Sequence, residues 1–231
     1  MAGYFSHGLS RLGLRRRNPF GLPSGDVYRG ERAENYDRDR EGTDFWEREQ
    51  TALEEMIGKI NLERNTTVLD SPIGSGRFLP VYQKHGFIVT GSDISEDILS
   101  VAQAKIREHD QTTLVAADGA KRLPFGDGEF DLVVSFRFLQ YVLSVRDARF
   151  AISEFARVTK RWAVLEMGLS TEVSETLSRR VPNDRGPMGN RLTERQMSKM
   201  LGKSGFTIES RIGPLDVQGG THFAFLCKKS F

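Results

Sequence analysis

From Thr67 onward the chain alternates short apolar runs with helical stripes, and this alternation limits the possible folds more than any other feature. The runs stand at Thr67–Leu69, Phe87–Thr90, Thr113–Ala116, Phe130–Ser135 and Trp162–Met167. They are brief, β-branched and nearly continuous, which suits parallel strands covered on both faces. Between them, Ile94, Ile98, Ala102 and Ile106 recur every four residues. Ser95 is placed to cap that stripe, and Glu96 and Asp97 fall in the first turn, where the helix dipole favours acids. Ala151, Phe155 and Val158 mark another stripe. Thr193 and Gln196 have capping-box spacing ahead of Met197, Met200 and Leu201, and Gly205 supplies a stop. Two last strands, Thr207–Ile212 and His222–Cys227, flank Gly213-Pro214 and Gly219-Gly220 and are expected to run antiparallel. The pattern predicts an α/β, doubly wound, seven-stranded sheet, mostly parallel with an antiparallel last strand. Such a sheet binds ligands at the carboxyl ends of its strands.

Ahead of the alternation, residues 1–42 read as an arm, broken by Asn18-Pro19, Pro23-Ser24-Gly25 and Gly30. A helix is expected over Thr43–Ile60, with Phe45, Trp46, Leu53, Met56, Ile57 and Ile60 on its apolar side. The domain is therefore placed at 43–231. A net charge of +2 is too small to argue for a nucleic-acid partner across the whole surface. The arm alone is basic: Arg11, Arg15, Arg16 and Arg17 stand among residues 1–25 without an acid. It suits contact with phosphate or an anionic membrane surface, or a plain solvated terminus. No apolar run approaches the roughly 18–20 residues of a membrane span. The single cysteine, Cys227, allows neither an intramolecular disulfide nor a cysteine metal cluster, and a reducing cytoplasm is the expected setting. No metal site is expected.

The segment richest in chemistry is Val68-Leu69-Asp70-Ser71-Pro72-Ile73-Gly74-Ser75-Gly76-Arg77-Phe78. A buried strand ends in an acid, turns through glycines and enters a helix, so a ligand can approach the backbone without a Cβ in the way. A dinucleotide site wants a third small residue at the position that Leu79 holds, and a P-loop wants Gly-Lys-Ser/Thr where Gly76-Arg77-Phe78 stands. With those two weakened, the segment resembles the first motif of the class I S-adenosylmethionine-dependent methyltransferases, with Pro72 in place of that motif's first glycine.

The resemblance continues through Gly91-Ser92-Asp93-Ile94-Ser95, through Ala117-Asp118-Gly119, and through Leu123-Pro124-Phe125 ahead of Phe130-Asp131-Leu132-Val133-Val134. It also takes in Leu192-Thr193-Glu194 and Gly205-Phe206, and so covers roughly residues 43–231. It implies that Asp93 accepts both ribose hydroxyls, as a carboxylate with two acceptor oxygens does, and that Asp118 meets the adenine amino group. It implies cofactor contacts from Asp70, Gly74, Ser75, Gly76, Arg77, Ile94, Gly119 and Ser135. Tyr36-Asp37 resembles the Tyr-Asp of the family's N-terminal lid, which makes Tyr36 a further cofactor contact.

Methyl transfer is an in-line displacement in which the protein supplies alignment, and a base only where the nucleophile must lose a proton. Base-amino and arginine methyltransferase signatures are missing after the fourth strand, where Ser135-Phe136-Arg137-Phe138 stands, and the cysteine that a cytosine-C5 enzyme needs in its core is missing, since Cys227 falls in the last expected strand; a small-molecule acceptor remains. Gln140 and Tyr141 occupy positions where the family often has two histidines, so the candidate bases are Tyr141 and His222. Candidate acceptor contacts are Arg137, Gln140 and Arg191. An inserted loop at 168–192 carries Arg179, Arg180, Arg185 and Arg191, a composition suited to a carboxylate or phosphate, and equally to a solvated loop. The expected function is methylation of a small, anionic metabolite. The rivals are an RNA methyltransferase anchored by the basic arm, and a cofactor-binding partner protein without catalysis.

Overall fold

The structure is a computed structural model that describes residues 28–38, 40–139, 144–169, 192–215 and 222–230. The basic arm, Gln140, Tyr141, Arg191 and nearly all of the 168–192 loop lie outside the described residues.

The apolar runs pair into one sheet. Its strands are β1 (Thr67–Asp70), β2 (Ile88–Asp93), β3 (Thr112–Ala116), β4 (Phe130–Ser135), β5 (Thr159–Gly168), β6 (Phe206–Ile212) and β7 (His222–Lys229), in the order β3-β2-β1-β4-β5-β7-β6. The first five are parallel to one another, and β7 runs antiparallel to both β5 and β6. The order reverses between β1 and β4, so a crevice opens beyond their carboxyl ends. Six helices stand among the described residues: α1 (Glu31–Glu34), α2 (Asp44–Gly58), α3 (Leu79–His85), α4 (Glu96–Gln103), α5 (Val145–Val158) and α6 (Glu194–Lys203).

The side chains of each strand alternate between two cores. Val68, Leu132, Val134, Val164 and Leu226 pack with Leu53 and Met56 of α2 and Tyr82 of α3. Leu69, Val133, Leu165 and Phe225 pack with Ile152 and Phe155 of α5 and Leu201 of α6. Each fully buried Leu or Phe contributes about 1.5–3 kcal/mol of transfer free energy, so three layers follow from the sequence pattern.

The caps also follow the sequence. Thr43 accepts from the Trp46 N–H, Ser95 from that of Ile98, and Thr193 forms a capping box with Gln196. Two local expectations are adjusted. The Ser95 cap starts α4 at Glu96, which leaves Ile94 ahead of the helix and 41% exposed. α3 begins at Leu79 rather than at the glycines, so Ser71–Phe78 forms a series of turns that folds back over β2. A Cβ at Gly91 would lie 2.3 Å from Ile73 Cδ1, which is why β2 carries glycine there.

Candidate active site

The turns after β1 and the end of β2 are tied through one carboxylate. Asp93 is buried, accepts from the Gly74 N–H at 3.2 Å and from the Ser95 N–H at 3.0 Å, and lines the crevice with Gly74, Ser75 and Ile73. Burial raises its pKa to about 6, against the lowering effect of those backbone donors. Asp70 lies deeper, beneath the turns. It accepts from the Tyr82 hydroxyl at 3.0 Å, and burial raises it to about 7. Gly76 sits at φ +75, where an added Cβ would meet Leu79 Cδ1 at 2.6 Å. Gly76→Ala is therefore expected to cost about 1–3 kcal/mol from left-handed strain and overpacking, read as a lower urea midpoint with an unchanged slope.

The described residues between 28 and 43 cover this crevice. The Gly30 N–H donates to Asp97 Oδ2 at 2.8 Å and the Ser95 hydroxyl to the Tyr28 carbonyl at 2.5 Å. Asp37 takes hydrogen bonds from Ser75 and Lys105. Tyr28 and Tyr36 meet edge to face at 5.1 Å, and both line the crevice. Burial pushes the Tyr28 hydroxyl up to about 12, so it stays protonated.

Beside the crevice, at the ends of β4 and β5, lies a buried charged cluster. Glu49 of α2, fully buried, pairs with the Arg77 guanidinium, and both its oxygens accept from Arg137 Nε at 3.0 and 3.1 Å. Arg77 is enclosed by aromatic rings, with Phe78 at 4.3 Å and Trp46 at 5.4 Å. Arg137 lies over Phe45 at 4.2 Å. Its backbone is left-handed, at φ 52, and its N–H donates to Glu166 Oε2. Glu166 is fully buried on β5, with Oε1 lying 3.6 Å from His222 Nδ1. Burial raises Glu166 to about 8, with the neighbouring Glu49 adding to the effect.

A methyltransferase-domain family matches residues 69–165, the stretch from β1 through most of β5. The malonyl-[acyl-carrier protein] O-methyltransferase of Marinomonas sp. is 28% identical over 156 residues, covering 64% of this chain and 56% of that protein. An 18S rRNA (guanine-N(7))-methyltransferase of Schizosaccharomyces pombe is 31% identical over 96 residues, covering 41% of this chain and 35% of that protein. The solved structure of magnesium protoporphyrin IX methyltransferase from Synechocystis PCC 6803 with bound S-adenosylhomocysteine superposes with a TM-score of 0.68. The two are 21% identical, over 89% of this chain and 98% of that one. Residues 69–165 thus carry a methyltransferase domain. The chain's alignments span from 35% to 56% of the length of these two curated relatives.

The methyltransferase cofactor fits the residues present. The Asp93 carboxylate faces the crevice, Ile94 offers an exposed apolar surface next to it, and a Cβ at Gly74 would meet nothing within 4 Å. The Ser135 hydroxyl at the end of β4 is buried with no hydrogen-bond partner in the described structure. Of the residues singled out in the sequence, Tyr36, Gly74, Ser75, Arg77, Asp93 and Arg137 line one crevice. Asp70 and Gly76 lie beneath it, as the support of the turns. Asp118 is engaged locally, accepting from the Ala120 N–H at 2.9 Å and pairing with Lys121 at 3.3 Å. Gly119 lies against Phe138 and Ser71, where a Cβ would meet Phe138 Cζ at 3.1 Å. His222 stands with the charged cluster. Two members of that cluster, Glu49 and Glu166, were not singled out in the sequence.

The buried carboxyls fix how stability depends on pH. Asp70, Asp93 and Glu166 titrate near 7, 6 and 8, above the range of unfolded carboxyls. The folded chain then binds more protons than the unfolded one between about pH 4 and 8, so stability falls as pH rises through that window and levels off above it. Glu154, which Arg157 holds below its ordinary value, completes its ionisation at lower pH and does not offset this. A tenfold change in proton affinity is about 1.4 kcal/mol, and 1 kcal/mol moves Tm by ~2–4 °C at this size. The expected fall from pH 5 to pH 8.5 is more than about 10 °C by scanning calorimetry, and a flat profile would contradict it.

Proposed function

We propose that the chain transfers the methyl group of S-adenosylmethionine to a small anionic acceptor bound where β4 and β5 end. The observation that carries the reading is the charge of the buried cluster. Arg77 and Arg137 share the single carboxylate of Glu49, and burial keeps Glu166 neutral at pH 7. Within the cluster, and apart from the Asp93 carboxylate that also lines the crevice, an excess of about one positive charge therefore sits out of water, where a carboxylate or phosphate on the acceptor would gain most. The cofactor brings the activated methyl group. The chain's part is to align the acceptor against it, exclude water and take up the acceptor's proton.

In this reading Asp93 receives the ribose hydroxyls and Asp118, Gly119 and Ile94 the adenine end. Gly74, Ser75, Gly76, Asp70, Arg77, Ser135 and Tyr36 shape or close the site. Arg137, Gln140 and Arg191 meet the acceptor, and Tyr141 and His222 are its candidate bases. The 1–42 arm acts as the lid of the 43–231 domain, and the 168–192 loop covers the acceptor. A malonyl-[acyl-carrier protein] O-methyltransferase among the relatives is consistent with an acidic acceptor.

A second reading, RNA methylation anchored by the basic arm, is favoured by the rRNA methyltransferase relative. Incubation with methyl-tritiated S-adenosylmethionine and either a metabolite extract or total RNA separates the two. The expected result is label in small molecules that bind an anion exchanger, reduced at least tenfold in Arg137→Ala. Label in RNA alone, lost at high salt, would replace the first reading with the second.

A further inference from the structure

Glu166 interrupts the buried apolar run Ala163–Met167 of β5, and no role in cofactor binding accounts for it. The register of β5 and β7 sets Glu166 opposite Ala224 and Gly168 opposite His222. Glu166 and His222 are therefore diagonal neighbours on one face of the sheet. The carboxyl is held from one side by the Arg137 N–H on Oε2. That N–H is presented by a left-handed backbone at φ 52, a conformation that a residue with a side chain keeps only when its surroundings enforce it. The other oxygen, Oε1, is buried without a hydrogen-bond partner among the described residues and faces His222 Nδ1 at 3.6 Å. Fixing one oxygen and turning the other toward an imidazole is the arrangement that orients a histidine and stabilises its protonated form.

We infer that Glu166 is a positioning residue for His222, and that the two together receive the proton released by the methyl acceptor. The inference rests on the methyl-transfer reading above. In the step, a lone pair on the acceptor's oxygen or nitrogen forms the bond to the methyl carbon. The methyl–sulfur bond breaks, its electron pair stays on sulfur, and the acceptor's proton passes to the His222 ring, whose new charge the Glu166 carboxylate balances. The groups facing the pair are Glu49 and Phe45 from α2, Arg77 from the turns after β1 and Arg137 from the end of β4. Because burial holds Glu166 protonated up to about pH 8, the pair becomes fully proton-accepting only above that pH, and transfer is expected to rise toward it.

The test uses the full chain with carbon-13-labelled histidine. It has four histidines, so His222→Asn assigns the resonance. In the wild type the His222 ring is expected to titrate in two steps, the upper one following Glu166. In Glu166→Gln the upper step is lost, while the lower one, which in the wild type already takes place beside a neutral Glu166, stays in place. The pH profile of methyl transfer from labelled S-adenosylmethionine into a metabolite extract should lose its upper limb in the same variant. A single-step His222 titration in the wild type overturns the inference without any variant, as does an unchanged titration in a folded Glu166→Gln. Calorimetry with S-adenosylmethionine keeps the two claims apart. Binding retained alongside a single-step titration removes only the Glu166–His222 pair, whereas no binding by the wild type removes the methyl-transfer reading itself.

Discussion

Glu49→Ala is expected to lower Tm by about 6–20 °C, the largest stability loss of any single substitution near the site. Glu49 is fully buried, and the side chains of its two partners, Arg77 and Arg137, are only 7% and 18% exposed. Removing one member of a buried ion pair costs about 3–5 kcal/mol, because the remaining charge has neither water nor a counter-ion. Here two guanidiniums lose the carboxylate they share. Phe78, Trp46 and Phe45 offer ring faces to these cations, but such contacts are worth about 0.5–2 kcal/mol each and do not replace a carboxylate. A domain with roughly 5–15 kcal/mol in total loses much of its margin, and 1 kcal/mol corresponds to ~2–4 °C at this size. Glu49→Gln keeps an acceptor oxygen and should lose about half as much. Adding Arg77→Met to Glu49→Ala should recover part of the loss, because the two residues share one interaction and their effects do not add. Thermal denaturation of the three variants checks this. A Glu49→Ala protein within 1 °C of wild type would mean that the cluster contributes no net stability.

Glu49 and Glu166 mark the limit of what local sequence encodes at the site. The strands, the caps and the helix faces are set by local patterns, and the β4 run at Phe130–Ser135 was legible to the residue. Glu49 falls in the four-residue repeat Phe45-Glu49-Leu53-Ile57, on the inward face of α2, and Glu166 interrupts Val164-Leu165-Met167. A charge at a core position is a visible signal, since it is tolerated only when paired. Its partner is not visible, because Arg77 lies 28 residues from Glu49 and Arg137 lies 88. Only the order of the strands brings them together. Ile94 shows the converse. Its spacing fits the helical stripe, yet the Ser95 cap cuts the helix off behind it, and a local hydrogen bond overrides periodicity. Asp118 reads equally as a ligand and as a turn residue, and both its oxygens are engaged within its own turn.

Asp93→Asn is expected to weaken S-adenosylmethionine binding by about a hundredfold or more while leaving the fold in place. In its proposed role, Asp93 holds the two turns of the site and receives the ribose diol with the same carboxylate. Two oxygens provide about four acceptor positions, of which the Gly74 and Ser95 N–H groups take two. An asparagine keeps one oxygen but turns an NH2 group toward either a backbone donor or the ribose. Hydrogen bonds to a charged acceptor contribute about 1.5–3 kcal/mol each, and two of them account for the expected loss. The stability cost should be nearer 1–3 kcal/mol, from one backbone N–H left without an acceptor. The pH dependence separates this role from a purely structural one. With burial holding Asp93 near 6, binding by the wild type should strengthen as pH rises through 6 and flatten above about 7, where the carboxylate is fully formed. Asp93→Asn has no group to ionise there, so its weaker binding should not change between pH 5 and 7.5. Calorimetric titration at those two pH values decides the point, and a variant that keeps the wild-type slope would assign the ribose contact to another residue.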